Sequence, residues 1–173
     1  MQHGLRMKTE MSLVEYAEQK GIERLDFELE SKGNLYEEAT RLFNLMTFAI
    51  AGCIGYLFTQ INADKSPTLV LVVVATIVHL AAAAIYVMQK ALGIRDIAPR
   101  GNEPSNLLKE GNENFPLDGI RRTECDNIEA SIRQNLARNQ KTAKAIKRGR
   151  ILLVLSPLTS LAAWAVAAIC GLA

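Results

Sequence analysis

Three long apolar runs constrain this chain more than any other feature. They extend from Phe43 to Ile61, from Thr68 to Met88 and from Ile151 to Gly171, and none of them contains Asp, Glu, Lys or Arg. A helix needs about 20 mostly apolar residues to cross a hydrocarbon core of about 30 Å. The sequence therefore predicts an all-α polytopic membrane protein with three transmembrane helices.

Charge is unevenly distributed between the apolar runs, and this distribution predicts the orientation. Residues 1–45 hold six basic and nine acidic residues, whereas residues 121–150 hold nine basic and three acidic ones. Lys and Arg next to membrane spans favour the cytoplasmic side. Basic residues follow the second run and precede the third, namely Lys90, Arg95, Arg100, Lys141, Lys144, Lys147, Arg148 and Arg150. We therefore expect the N-terminus inside and the C-terminus outside.

This topology divides the chain into four parts. Residues 1–42 form a cytoplasmic N-terminal region, and residues 43–88 form a transmembrane hairpin with spans at 43–61 and 68–88. Residues 89–150 form a cytoplasmic loop and a basic amphipathic helix, and residues 151–173 form the third transmembrane helix.

Local signals in the N-terminal region predict short elements. Ser12 and Glu15 have capping-box spacing, which predicts a helix that ends near Lys20 with Gly21 at its C-terminal cap. Alternation of apolar and acidic residues from Leu25 to Leu29 indicates a strand. Capping spacing from Asn34 to Glu37 predicts a second helix that continues unbroken through Ile61.

Residues 93–120 are rich in Gly and Pro and separate the hairpin from the basic helix. One interpretation is a flexible linker. The other is an ordered loop that packs on a neighbouring subunit or on a ligand.

The segment from Thr123 into the third apolar run has the periodicity of an amphipathic helix. At about 100° per residue, one stripe is apolar and consists of Cys125, Ile128, Ile132, Leu136, Ala143 and Ile146. A second stripe is basic and consists of Arg133, Lys141, Lys144, Lys147 and Arg148, with Arg121, Arg122 and Arg138 as weaker candidates. The basic stripe either enforces the topology, attracts anionic lipid headgroups or binds a phosphate-rich ligand such as a nucleotide.

Polar residues inside the apolar runs are few, and they suggest a gate. Pro157 removes a backbone donor early in the third run, beside the hydroxyls of Ser156, Thr159 and Ser160. His79 lies near the middle of the second run, either as a functional group or as a neutral imidazole bonded to a neighbouring helix. We expect these five residues to line or adjoin a pore.

Small residues occur in all three runs, including Gly52, Gly55, Ala81–Ala84 and Ala162–Ala168. Small side chains let helices approach closely in a membrane, so we expect a homo-oligomer, with a tetramer as the favoured stoichiometry. The sequence contains no catalytic motif, no paired intramembrane carboxylates and no Cys/His spacing typical of a metal site. It predicts no enzyme, no cofactor and no metal.

The layout resembles the small transmembrane effectors of bacterial antiphage systems that are controlled by nucleotide signals. These include Pycsar-type and CBASS-type membrane effectors and the channel component of the Hailong system. The resemblance rests on the polar N-terminal segment, the hairpin from Phe43 to Met88, the exit Ile97-Ala98-Pro99-Arg100, and the helix Ile128 to Arg150 that leads into a final span.

The resemblance implies a homo-oligomeric pore that depolarises the bacterial inner membrane. It also implies gating by a nucleotide or oligonucleotide made by a partner nucleotidyltransferase. The residues expected to bind this ligand follow from the basic stripe and not from the resemblance: Arg133, Arg138, Lys141, Lys144, Lys147 and Arg148. In the Hailong-like version the nucleic acid holds the channel shut, whereas in the others a cyclic nucleotide triggers it. The alternative is a non-conducting membrane anchor or a holin-like accessory protein.

Overall fold

The computed structural model describes residues 12–61, 67–93 and 116–171, and regular structure in these ranges is helical throughout. Helix α1 runs from Leu13 to Ile61 and α2 from Pro67 to Val87, which continues as a π-helical turn, Met88–Leu92. Helix α3 runs from Leu117 to Val154 and α4 from Ser156 to Ile169. The all-helical prediction is confirmed. Most of the segment 93–120 lies outside the described residues, so neither interpretation of it is tested.

Helix α1 is longer than the local signals predicted. Its capping box is confirmed: the Glu15 N–H donates to Ser12 Oγ at 3.2 Å, and the Ser12 N–H donates to Glu15 Oε2 at 3.0 Å. The predicted helix end at Gly21, the strand from Leu25 to Leu29 and the new helix start at Asn34 are wrong. Packing overrides these weak signals, because Leu25 is almost fully buried as part of a helix face.

One series of covered positions in each of α1 and α3 has a heptad pattern, with steps of alternately three and four residues. In α1 these buried or half-buried positions are Val14, Glu18, Gly21, Leu25, Glu28, Lys32, Leu35, Ala39, Leu42, Met46, Ala49 and Cys53. In α3 they are Arg121, Cys125, Ile128, Ile132, Asn135, Asn139, Thr142, Ile146, Gly149 and Leu153. This average period of about 3.5 residues is the one that holds supercoiled helices in contact.

The heptad pattern corrects the apolar stripe predicted for α3. Cys125, Ile128, Ile132 and Ile146 lie on the covered face, but Leu136 and Ala143 are exposed. Asn135 and Asn139 are buried in this part of the helix. Hydrophobicity alone therefore selected two wrong positions, Leu136 and Ala143, because the covered face is polar in this part of the helix. Helix α3 also begins at Leu117, upstream of the expected start at Thr123.

The chain forms two compact units. The first contains the described residues 12–31 and 116–137, and the second contains 32–61, 67–93 and 138–171. In the first unit α1 and α3 run parallel, because Arg121 pairs with Glu15 and Glu18 while Gly21 lies against Ile128, farther along both helices.

In the second unit, α1, α2 and α3 share one apolar core. Its buried members are Ala39, Leu42, Met46, Ala83, Ala84, Val87, Ala91, Ala145 and Ile146. Gly149 lets α3 lie close to α1 and α2, because a Cβ at this position would be 2.5 Å from Val87 Cγ2 and 3.0 Å from Leu42 Cδ2. Helix α4 packs antiparallel to α2, since Ser160 bonds Thr76 while Leu152, at the end of α3, bonds His79.

The apolar runs leave most of their large side chains exposed. Helices α1 and α2 are each long and apolar enough to cross a membrane, and the bent pair α3–α4 adds a third if it counts as one span. Only 11% of the most apolar window of α1 and 22% of that of α2 is buried. Such an exposed apolar surface is costly in water. The described residues thus contain two or three candidate membrane spans.

Candidate functional site

Four of the predicted ligand residues form one exposed surface on α3. Lys141, Lys144, Lys147 and Arg148, here called the basic face, are all exposed in the second unit. They lie on the side of α3 away from the buried Ile146. Among the described residues, no carboxylate forms an ion pair with any of the four.

The other candidate cations are arranged differently. Arg133 belongs to the first unit, where its guanidinium pairs with Glu129 one turn earlier. Arg138 is half-buried and lies about 120° around α3 from the centre of the basic face. The predicted stripe is thus only partly a common surface.

Arg121, one of the weaker candidates, is committed to a structural contact. Its guanidinium lies 2.5 Å from Glu15 Oε1 and 3.7 Å from Glu18 Oε2. The Arg121 hydrogen bond, with help from the Ser12 backbone, holds the pKa of Glu15 below its ordinary value. The same hydrogen bond raises the pKa of Arg121. This pairing makes Arg121 a poor ligand residue.

The lowered pKa of Glu15 predicts an acid-sensitive contact in the first unit. Because the folded pKa is below the ordinary value of 4.5, the contribution of Glu15 is present above that pH and is lost as pH falls through the folded pKa. Glu15→Gln should remove this pH-dependent part of the free energy of unfolding. Thermal unfolding of detergent-solubilised protein between about pH 6 and about pH 3 measures it. The exposed control Glu30→Gln should keep the wild-type acid dependence. An unchanged acid slope in Glu15→Gln would contradict the assignment.

A helix break separates α3 from α4. The axes of the two helices differ by 40°, and Leu155 is the single residue between them. Pro157 is the second residue of α4 and has no N–H to donate to the Leu153 carbonyl, four residues earlier. The Leu158 N–H instead donates to Leu155 O at 3.0 Å. The kink predicted at Pro157 is present.

Side chains of α2 fasten this break. His79 Nε2 lies 2.8 Å from the carbonyl oxygen of Leu152, and since a carbonyl only accepts, Nε2 carries the proton. Thr76 Oγ1 lies 2.7 Å from Ser160 Oγ. The hydroxyls of Thr159 and Ser160 donate to the Ser156 carbonyl rather than to the carbonyl that Pro157 leaves without a donor.

An open groove lies between α2 and α4 beside the break. It has a volume of about 590 Å³ and is lined by Val72, Ser156, Pro157, Ser160, Leu161 and Trp164. Three of the five predicted gate residues therefore border one surface. Thr159 and His79 are half-buried and do not line it.

Sequence reasoning missed a polar groove of about 570 Å³ in the second unit. It is lined by Asn34, Glu37, Glu38, Arg41, Leu42, Leu45 and Arg150. Arg150 pairs with Glu38 across this groove. Glu38 directly precedes the covered position Ala39, and Arg150 directly follows Gly149. Comparing the heptad patterns of the two helices would have indicated that these charges meet.

The comparisons with known proteins add no relative. The chain matches no protein family, no curated protein and no solved structure.

Proposed function

We propose that the protein is a membrane channel with three spans, N-terminus inside and C-terminus outside, that conducts ions as a homo-oligomer. Exposed apolar surface on the candidate spans supports the membrane setting. Three spans are too few to enclose a polar path, so the conducting form requires several copies, with a tetramer as the expected number.

One observation carries this proposal. Helix α3 bears the basic face and is joined through the single residue Leu155 to α4, whose Ser156 and Ser160 border an open groove. A rotation or displacement of α3 is therefore transmitted directly to the hydroxyls of α4. In the oligomer, we place this groove on the conduction path.

The proposed gating ligand is a nucleotide or oligonucleotide that binds the basic face. Phosphate groups match Lys141, Lys144, Lys147 and Arg148, which have no ion-pair partners among the described residues. Arg133 and Arg138 are secondary contacts in this proposal. A ligand shifts the gate only by binding one state more tightly than the other. The geometry is consistent with a ligand that opens the channel and with one that closes it.

The resemblance to nucleotide-controlled antiphage effectors agrees with this arrangement. On that basis we assign the protein to the bacterial inner membrane as a multi-pass effector whose opening depolarises the cell. The ligand would be made by a partner nucleotidyltransferase.

Ion flux from liposomes with purified protein tests the proposal. We expect a potassium flux that changes at least tenfold, in either direction, when cyclic nucleotides or short oligonucleotides are added, which is about 1.4 kcal/mol of differential binding. Lys141→Glu with Lys144→Glu should abolish this response and leave insertion intact. The control is Lys20→Glu, which reverses an exposed charge outside the basic face.

Two results would contradict the channel. One is a correctly inserted oligomer that conducts no ions, either without ligand or with any of the ligands tested. The other is a monomer at all protein concentrations in native mass spectrometry.

The second candidate function is a non-conducting membrane anchor. It is favoured by the hydrogen bonds of Thr76, Ser160 and His79, which fasten α2 to the α3–α4 break within one protomer. In an anchor these groups form interhelical hydrogen bonds that hold the bundle together. An oligomer silent in flux assays that retains a cytoplasmic partner in pull-downs supports this alternative.

A further inference from the structure

We propose that the polar groove of the second unit binds the headgroup of an ethanolamine phospholipid. Its polar end is formed by Glu37, Glu38, Arg41 and Arg150, and its apolar end by Leu42 and Leu45. A volume of about 570 Å³ lies within the usual range of small-molecule sites, about 300–1,000 Å³. This inference does not depend on ion conduction.

The groove lies at the level where a membrane surface is expected. Arg41 precedes the apolar run of α1 by two residues, and Arg150 directly precedes that of the third candidate span. At a rise of 1.5 Å per residue, the Cα atoms of Arg41 and Arg150 lie about 2–3 Å along the helix axes from the apolar segments. The polar layer on each side of a hydrocarbon core is about 5–7 Å thick. Both arginine side chains therefore start within this layer and can reach a lipid headgroup in it.

The charges of the groove are complementary to a zwitterion. Arg41 pairs with Glu37 at 3.3 Å, and Arg150 pairs with Glu38. These pairs are solvent-exposed, and such pairs contribute little to stability, so a ligand can replace them at low cost. The two guanidinium groups can bind a phosphate through several hydrogen bonds. The two carboxylates can accept hydrogen bonds from a primary ammonium.

This arrangement distinguishes ethanolamine from other common headgroups. A choline group carries the same charge but has no N–H to donate to Glu37 and Glu38. A phosphatidylglycerol headgroup has no cation, so its phosphate meets both Arg residues while the two carboxylates repel it. Leu42 and Leu45 provide apolar contacts for the start of an acyl chain.

Native mass spectrometry of the full-length protein in detergent tests the site. The protein is incubated with equimolar phosphatidylethanolamine, phosphatidylcholine and phosphatidylglycerol of identical acyl chains. We expect ethanolamine lipid to be retained about tenfold more than either competitor, equivalent to about 1.4 kcal/mol. Glu37→Gln with Glu38→Gln should abolish this preference. Arg41→Gln with Arg150→Gln should lower retention of all three lipids.

The controls separate this site from other charged surfaces. Lys20→Gln, at an exposed residue of the first unit, should leave the ethanolamine preference unchanged. Glu37→Gln alone should reduce it by a smaller factor without affecting folding, because Glu37 is exposed. Soluble glycerophosphoethanolamine carries the same headgroup and should compete, but more weakly than the lipid because it lacks acyl chains. Equal retention of the three lipids, or a preference that survives the double Glu variant, would overturn the proposal.

Discussion

Replacing Gly149 with leucine should strongly destabilise the core of the second unit. A Cβ alone would lie 2.5 Å from Val87 Cγ2 and 3.0 Å from Leu42 Cδ2, and valine cannot easily rotate away. Overpacking a well-packed core costs about 1–3 kcal/mol and occasionally more. The gain in helix propensity, about 1 kcal/mol on replacing glycine, is too small to offset it. We expect a lower unfolding temperature and aggregation in detergent, measured by circular dichroism and size-exclusion chromatography.

Gly33→Ala is the matched control for this prediction. Gly33 is also in a helix interior, but nothing lies within 4 Å of a Cβ at this position. Alanine should therefore stabilise the protein by up to about 1 kcal/mol. A Gly149→Leu variant as stable as the wild type would mean that α1, α2 and α3 do not pack as described.

A double-mutant cycle on His79 and Pro157 should show strong coupling. His79→Leu removes the donor to the Leu152 carbonyl, and an unpaired buried carbonyl costs about 1–3 kcal/mol. Pro157→Ala restores a backbone N–H and allows α3 to continue as a regular helix, in which the Ser156 N–H can bond Leu152. The loss of His79 should then cost less by about 1 kcal/mol or more.

Thermal unfolding of the four proteins in detergent measures this coupling. Thr76→Val is the control, because Thr76 joins α2 to Ser160 without contacting a carbonyl at the break. Its effect should be nearly additive with that of Pro157→Ala. Additivity of His79→Leu with Pro157→Ala would show that His79 does not compensate for the break.

The sequence predicted the helical class, because long uncharged runs have few alternative structures. It also predicted the capping box of Ser12 and Glu15, because a cap depends on residues that are close together in the sequence. It failed between Gly21 and Asn34, where α1 is continuous. There the local signals are weak, and the contact of Gly21 with Ile128 depends on a segment far away in the chain.

The candidate site was predictable only in part for a related reason. Charge and periodicity identified Lys141, Lys144, Lys147 and Arg148 as one exposed face. They did not show that Arg121 is bound to Glu15 or that His79 bonds a carbonyl at the break. Both contacts join residues more than 70 positions apart, so no local pattern records them.

The buried polar residues of the first unit have a consequence for biogenesis. Glu28 and Asn135 are both buried, and their numbers differ by 107, as do those of the contacting residues Gly21 and Ile128. The ribosome makes each partner in α3 long after its counterpart in α1, so no tight turn aligns the two helices as they emerge. The Glu28 carboxylate pairs with Arg24 on the same helix, and a slip of one heptad would place this pair at the level of Ile128, where burying charge against apolar atoms is costly. The polar residues thus favour the aligned pairing of α1 and α3 in the first unit over a misaligned one as the chain folds.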